Sequence, residues 1–149
     1  MTQVLLALFL SLTFMRVPVI TLERTACFGS CPVYKVTIFD DGTVMFDGKE
    51  SVKRPGMDVS RISKSDVEAL VREFAKVDYQ KLDEAYTDDP KNCPQQWTDA
   101  STAITSLTVE GKKKTVRHYL GCGGSKVLVQ LTKLEDKIDE VANTNQWIK

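Results

Sequence analysis

The dipeptide Asp41-Gly42 stands between two runs rich in β-branched and aromatic residues, Val33–Phe39 (VYKVTIF) and Thr43–Phe46. Glycine takes a positive φ without steric penalty, so Asp-Gly in this setting folds the chain back on itself as a tight hairpin. A second segment is built the same way: Thr102–Val109 alternates, Glu110-Gly111 turns, and Lys114–Leu120 returns. Val19–Ala26 also alternates, with Ile20 and Leu22 on one face and Thr21 and Glu23 on the other. That is the mark of a half-buried strand. Gly48 is placed to kink the strand after the first hairpin, which is expected to continue through Val52 until Pro55-Gly56 stops it. Strands joined by hairpins are antiparallel.

Two stretches carry the helical period. Ser63-Lys64-Ser65-Asp66 opens the first. The Ser63 hydroxyl can accept from an early backbone N–H, and the Asp66 carboxylate suits the positive end of a helix. Val67, Leu70, Val71, Phe74 and Val77 then form one apolar stripe. Burying it is worth on the order of 10 kcal/mol before opposing terms, so it must face a sheet. Ser125 opens the last helix, with Val127, Leu131, Leu134, Ile138 and Val141 on one side. Tyr79, Leu82 and Tyr86 are expected core anchors, and Trp147 and Ile148 are expected to pack back. Thr87–Ser101 (TDDPKNCPQQWTDAS) is polar and contains proline, the longest loop and the natural place for binding residues. The order β-β-β-α-β-β-α predicts a two-layer α+β domain, an antiparallel sheet of about five strands with two helices on one face.

The composition suits that size of core: of 149 residues, 42% are hydrophobic and 27% charged. Twenty Lys and Arg balance twenty Asp and Glu, which leaves no charge excess to draw nucleic acid. Val4–Met15 (VLLALFLSLTFM) is an uncharged run of twelve. It is shorter than the roughly 20 residues that span a bilayer and fits the apolar core of a secretory signal peptide. The chain divides on this reading into a leader over residues 1–16 and a single domain over residues 17–149. The domain would be secreted, periplasmic or held at the cell envelope, with no integral membrane segment once the leader is removed. The competing reading makes the run a buried strand or helix of the domain.

Cys27, Cys31, Cys93 and Cys122 bear on the same question. An even number of cysteines in a small exported domain reads as a disulfide framework, and the same four in the cytosol as metal ligands. Three pairings are possible. Phe28-Gly29-Ser30 forms a short loop between two strand-like runs and can set Cys27 opposite Cys31; Cys93 would then join Cys122. That second bridge closes a loop of about 30 residues, worth about 3.5 kcal/mol on the chain-entropy model.

The chain also resembles a known family. Ile20–Thr25, the Cys-x-Gly-x-Cys-Pro-x-Tyr pattern over Cys27–Tyr34, Asp41–Val44, Ile62-Ser63, Lys114–Tyr119 and Leu134–Asp139 are similar to a family of small bacterial domains of unknown function, number 6438 in the domain-family series. The resemblance runs over about residues 18–148. It implies an exported or membrane-anchored setting, because such proteins carry leader segments, and it implies no catalytic residue.

Several constellations compete as sites. Cys27, Cys31, His118 and Cys122 form two short pairs that would suit tetrahedral zinc, although the x3 spacing and an oxidising compartment favour bridges. A thiol-redox role for Cys27 and Cys31 lacks a helix N-terminus to lower a thiol pKa. His118, the only histidine, shares the more apolar face of its strand with Val116 and Leu120. Any His-based nucleophilic mechanism would have to use it, but it reads as a hydrogen-bonded residue at the core edge, with a catalytic base or ligand contact as the sharper alternatives. Asp83, Glu84, Asp88 and Asp89 lack the alternation of an EF-hand and read as a solvated run. Lys112-Lys113-Lys114 reads as a solubilising turn. Trp97 in the long loop and Phe28 at the Cys27–Cys31 turn are the candidate ligand-contacting aromatics. No G-x-S-x-G elbow, Gly-rich phosphate loop or His-Glu-x-x-His pattern is present. The expected function is a non-enzymatic, disulfide-stabilised binding or structural module outside the cytoplasm, with an unknown protein or small ligand as partner and no cofactor. The alternative is a Cys/His zinc-binding or thiol-redox module.

Overall fold

Alternation along the strands sorts the side chains onto two faces, and the burial in the computed structural model, which describes residues 15–149, follows it strand by strand. The leader expectation falls on residues 1–14 and so lies outside the described residues. The elements are β1 (Pro18–Arg24), β2 (Val33–Phe39), β3 (Thr43–Glu50), β4 (Gly56–Arg61), α1 (Lys64–Lys76), a 3-10 turn (Tyr79–Lys81), β5 (Ala85–Tyr86) and β6 (Gln95–Gln96). They continue with β7 (Thr102–Val109), β8 (Lys112–Tyr119), β9 (Cys122–Gly123), α2 (Lys126–Ala142) and α3 (Asn145–Ile148). Seven strands make one sheet in the order β4-β3-β2-β1-β7-β8-β5, and β6 pairs with β9 in a small second sheet.

The fold is α+β as expected, but the five-stranded antiparallel sheet is corrected to a seven-stranded mixed one. The strand after the first hairpin ends at Glu50, short of the expected Val52, and Pro55-Gly56 leads into a further strand. Gly56, at φ 93°, lets the chain reverse, and Gly56–Arg61 returns antiparallel along β3. β5 is two residues long, too short to show any period, and it lies parallel to β8. Both expected hairpins form. Glu110 and Gly111 take φ 50° and 74°, the pair of positive values that a two-residue turn needs to match strand twist. Gly42, at φ 83°, has a second reason to be glycine: a Cβ there would collide with the Ile62 carbonyl where the chain enters α1.

One face of the sheet is fully buried through Ile20, Leu22, Val36, Ile38, Val44, Phe46, Ala103 and Val116. Val67, Leu70 and Phe74 of α1 and Leu128, Leu131, Leu134 and Ile138 of α2 join the same core. Phe74 meets Tyr79 edge to face at 4.7 Å, and the Tyr79 hydroxyl donates to the Thr105 carbonyl at 2.9 Å, tying the end of α1 to β7. The α2 stripe is rotated slightly from its expected position: Leu128 and Ala142 are buried, whereas Val127 and Val141 are only partly so. Both helix starts use their serines, Ser63 in a full capping box with Asp66 and Ser125 as an acceptor for the Leu128 N–H. Trp147 is buried and stacks on Phe46 at 4.8 Å. No helix among the described residues is long and apolar enough to cross a membrane.

A polar junction fixes α2 to the sheet. Asp139 accepts from the Arg24 guanidinium at 2.8 and 2.9 Å, from the Tyr34 hydroxyl at 2.8 Å and from the Thr144 hydroxyl at 2.9 Å. β1, β2 and the C-terminal end of α2 thus share one carboxylate. Removing one partner of a largely buried ion pair strands the other. Asp139→Ala is expected to cost about 3 kcal/mol, measured as a fall in the urea midpoint with an unchanged m-value.

Candidate functional site

At one end of the sheet the β1–β2 connection, the segment 87–101 and the β8–β9 turn come together. Arg24, at the end of β1, pairs with Ala103 near the start of β7, and Thr102 pairs with Tyr119 at the end of β8. Thr25 pins the loops to each other: its N–H donates to the Thr102 carbonyl at 3.0 Å, and its hydroxyl oxygen accepts the Thr102 N–H at 2.9 Å.

Both loops are also closed covalently. Cys27 bonds Cys31 and Cys93 bonds Cys122, with Cα separations of 5.7 and 5.0 Å, and none of the four cysteines is free. The first bridge closes a turn that leaves Phe28 88% exposed. The second lies in the core, where Cys93 and Cys122 are buried, and joins the long loop to the end of the β8 segment.

Trp97 is 59% exposed, yet it is held on every side. Its N–H donates to the Gly121 carbonyl at 2.8 Å, and its own carbonyl accepts from the Tyr119 hydroxyl at 2.8 Å. On its N-terminal side Gln95 and Gln96 pair with Gly123 and Cys122. The six-membered ring of the indole lies on Gly123, where a Cβ would stand 2.6 Å from Cζ3. The Phe28 N–H donates to the Asp99 carbonyl at 3.3 Å, so the two aromatic-bearing loops are bonded directly. The end therefore presents two large apolar side chains on a backbone that has little freedom left to lose.

His118 does not share this surface. It is 2% exposed and lies between β8 and α2, its Nδ1 2.9 Å from Oε1 of the equally buried Glu135. Among the described residues Glu135 Oε2 has no hydrogen-bond partner. Burial holds the Glu135 carboxyl above the usual glutamate range, against the hydrogen bond and charge of His118 and the charge of Arg24. The residues weighed as zinc ligands are likewise spent elsewhere: Cys27 and Cys31 on each other, Cys122 on Cys93, and His118 on Glu135. Among the described residues no three His, Cys, Asp or Glu side chains gather as a cation site. Asp83 takes the Asn92 amide at 2.9 Å and Lys91 at 3.5 Å, and Glu84 lies 3.9 Å from Lys114.

A concavity of about 440 Å³ lies at the opposite end of the sheet, floored by Phe74, Tyr79 and Leu107. Its rim is electrically balanced, with Asp78 paired to Lys81 at 3.0 Å and Glu110 beside Lys112.

Two functional details escaped the sequence. Glu135 sits four residues after Leu131 and three before Ile138, a carboxylate on the apolar face of α2, and that spacing was the available signal. The Tyr119 support under Trp97 is a contact across 22 residues, and nothing local announces it.

A family model described as a domain of unknown function (DUF6438) matches residues 18–142. No curated protein matches the chain.

Three measurements follow from this geometry. Glu135 keeps its proton to a higher pH in the folded than in the unfolded chain, so the folded state binds more protons from about pH 4.3 upward. Stability contributed by this group falls as pH rises through that window, and Glu135→Gln should flatten the profile obtained by urea denaturation at successive pH values. Replacing Cys93 and Cys122 by Ala should cost about 3.5 kcal/mol, and replacing Cys27 and Cys31 about 2 kcal/mol, from loop length alone. Mild reduction followed by alkylation and mass analysis should label the half-exposed Cys27 and Cys31 before the buried pair.

Proposed function

The chain belongs to the DUF6438 domain family, and from that starting point we propose that it is a non-enzymatic recognition module of the bacterial cell envelope. It works outside the cytoplasm, through the surface that presents Phe28 and Trp97. The supporting observation is that the two most prominent exposed aromatics stand on loops that are both disulfide-closed and bonded to each other. Exposed Phe and Trp side chains gain nothing from water, and aromatic side chains are the ones enriched where proteins meet partners. Holding them rigid lowers the entropy lost on binding, because the presenting backbone is already ordered.

Compartment rests on the same sulfur chemistry. Disulfides persist where glutathione and thioredoxin do not reduce them, and the apolar run over residues 4–15 supports export of a mature domain that begins near residue 17. The Cys-x-Gly-x-Cys-Pro-x-Tyr motif is read as the family signature because it builds this surface. Cys27 and Cys31 close the turn, Gly29 takes φ 152° inside it, and Tyr34 anchors its exit to Asp139.

A photo-crosslinking side chain placed at position 28 or 97 in cells that make the protein tests the reading, with Val59 on the outer sheet face, 59% exposed, as the control position. Discrete adducts from positions 28 and 97 and none from 59, on exported protein whose cysteines resist alkylation, are expected. Equal adducts from all three positions, or alkylatable cysteines in cytoplasmic protein, overturn it.

A further inference from the structure

Resting on that recognition reading, we propose that the Phe28–Trp97 surface docks a cationic segment of a partner protein, an extended peptide bearing arginine or lysine. Its side-chain cations would lie against the aromatic rings and pair with Asp99.

Asp99 joins the two aromatics. It follows Trp97 by two residues, and its carbonyl accepts the Phe28 N–H at 3.3 Å. Its carboxylate accepts only from the neighbouring Thr98 hydroxyl, at 3.1 Å, and stands in no ion pair among the described residues. The rest of the long loop has the same sign. Asp88 and Asp89 are bonded to the Thr87 hydroxyl and the Lys91 N–H and likewise form no ion pair among the described residues. Lys91, the only lysine between Thr87 and Ser101, is engaged by Asp83 at 3.5 Å. The loop that carries Trp97 therefore keeps unneutralised negative charge, and through Asp99 its backbone is bonded to that of Phe28.

That combination selects among partners. Aromatic faces are negative in their quadrupole and attract guanidinium and ammonium groups, most strongly at Trp. A carboxylate close by adds a charge-assisted bond, best matched by arginine. An anionic partner meets repulsion from the same groups, and a purely apolar one leaves Asp99 to be desolvated without recompense. The groove at the other end of the sheet has a balanced rim and makes no such selection.

The two tryptophans supply the test. In ¹⁵N-labelled, oxidised protein the indole N–H of Trp97 reports the surface, and that of Trp147, 3% exposed and stacked on Phe46, reports the core. The probe is a capped Gly-Arg repeat peptide, run beside Gly-Lys and Gly-Glu versions of the same length. The arginine and lysine peptides should shift the Trp97 indole and the Phe28 amide and leave Trp147 still, with affinity that falls as salt rises.

Asp99 occupies the left-handed region at φ 69°, where Asn is as well tolerated as Asp. Asp99→Asn thus removes the charge and keeps the backbone, and it should weaken binding roughly three- to tenfold. Trp97→Ala should abolish it, with the Trp147 signal confirming that the variant is folded. Equal binding of the glutamate peptide, or undiminished affinity in Asp99→Asn, overturns the proposal. Adducts at positions 28 and 97 without any response to cationic peptides would refute the cationic partner alone and leave the recognition surface standing.

Discussion

The Cys93–Cys122 bridge is the constraint on which the aromatic-bearing end of the molecule depends. The segment 87–101 has almost no regular structure and few apolar residues to bury, so packing alone cannot order it. The bridge ties it to the strand segment that leaves β8, and the short β6–β9 pairing, the Trp97–Gly121 bond and the Tyr119 support then have a fixed geometry in which to form. Each of those bonds is modest by itself, and the covalent link lets them act together. Reduction would therefore act first on the shape of the surface and only later on the sheet, whose core is otherwise built from aliphatic and aromatic side chains of the strands and the two long helices.

The core has its own division of labour. Hydrophobic burial between the sheet and the two long helices supplies most of the driving force, but apolar side chains do not fix the angle or register of α2. The Asp139 junction does so at the C-terminal end, by drawing Arg24, Tyr34 and Thr144 onto one carboxylate. The Glu135–His118 pair lies one helical turn earlier, between α2 and β8. Its unpartnered oxygen makes it an expensive contact, and a buried polar pair of this kind serves specificity better than stability. The two contacts point α2 at β1, β2 and β8 together, which spreads the helix across the middle of the sheet.

Much of this was legible because it is local. The Asp41-Gly42 and Glu110-Gly111 turns, the Ser63 cap and the Cys27–Cys31 closure are each decided within a few residues, and each formed as expected. The errors have their causes elsewhere in the fold. Pro55-Gly56 is a stop signal only when no partner strand is near, and β3 was near enough to turn it into a reversal. β5 owes its existence to β8 and not to its two residues. At the candidate site Phe28 and Trp97 could be named from loop position, but the way Asp99 and Tyr119 connect and support them depends on contacts that only the folded chain brings about. The spacing put Glu135 on an apolar face, though the reading of the sequence passed over it, and its pairing with His118 had no local signal, since the two lie on different elements.

Gly123 carries a consequence out of proportion to its size. The indole of Trp97 can settle only because that position has a hydrogen where other residues have a methyl or more. The missing atom sets the height at which the ring rests, much as a shim of zero thickness sets the seat of a bearing. A bulkier residue there would remove no atom from the exposed face of the indole. It would lift the ring off its support and set it rocking, so that this end of the protein would present a loose surface in place of a firm one.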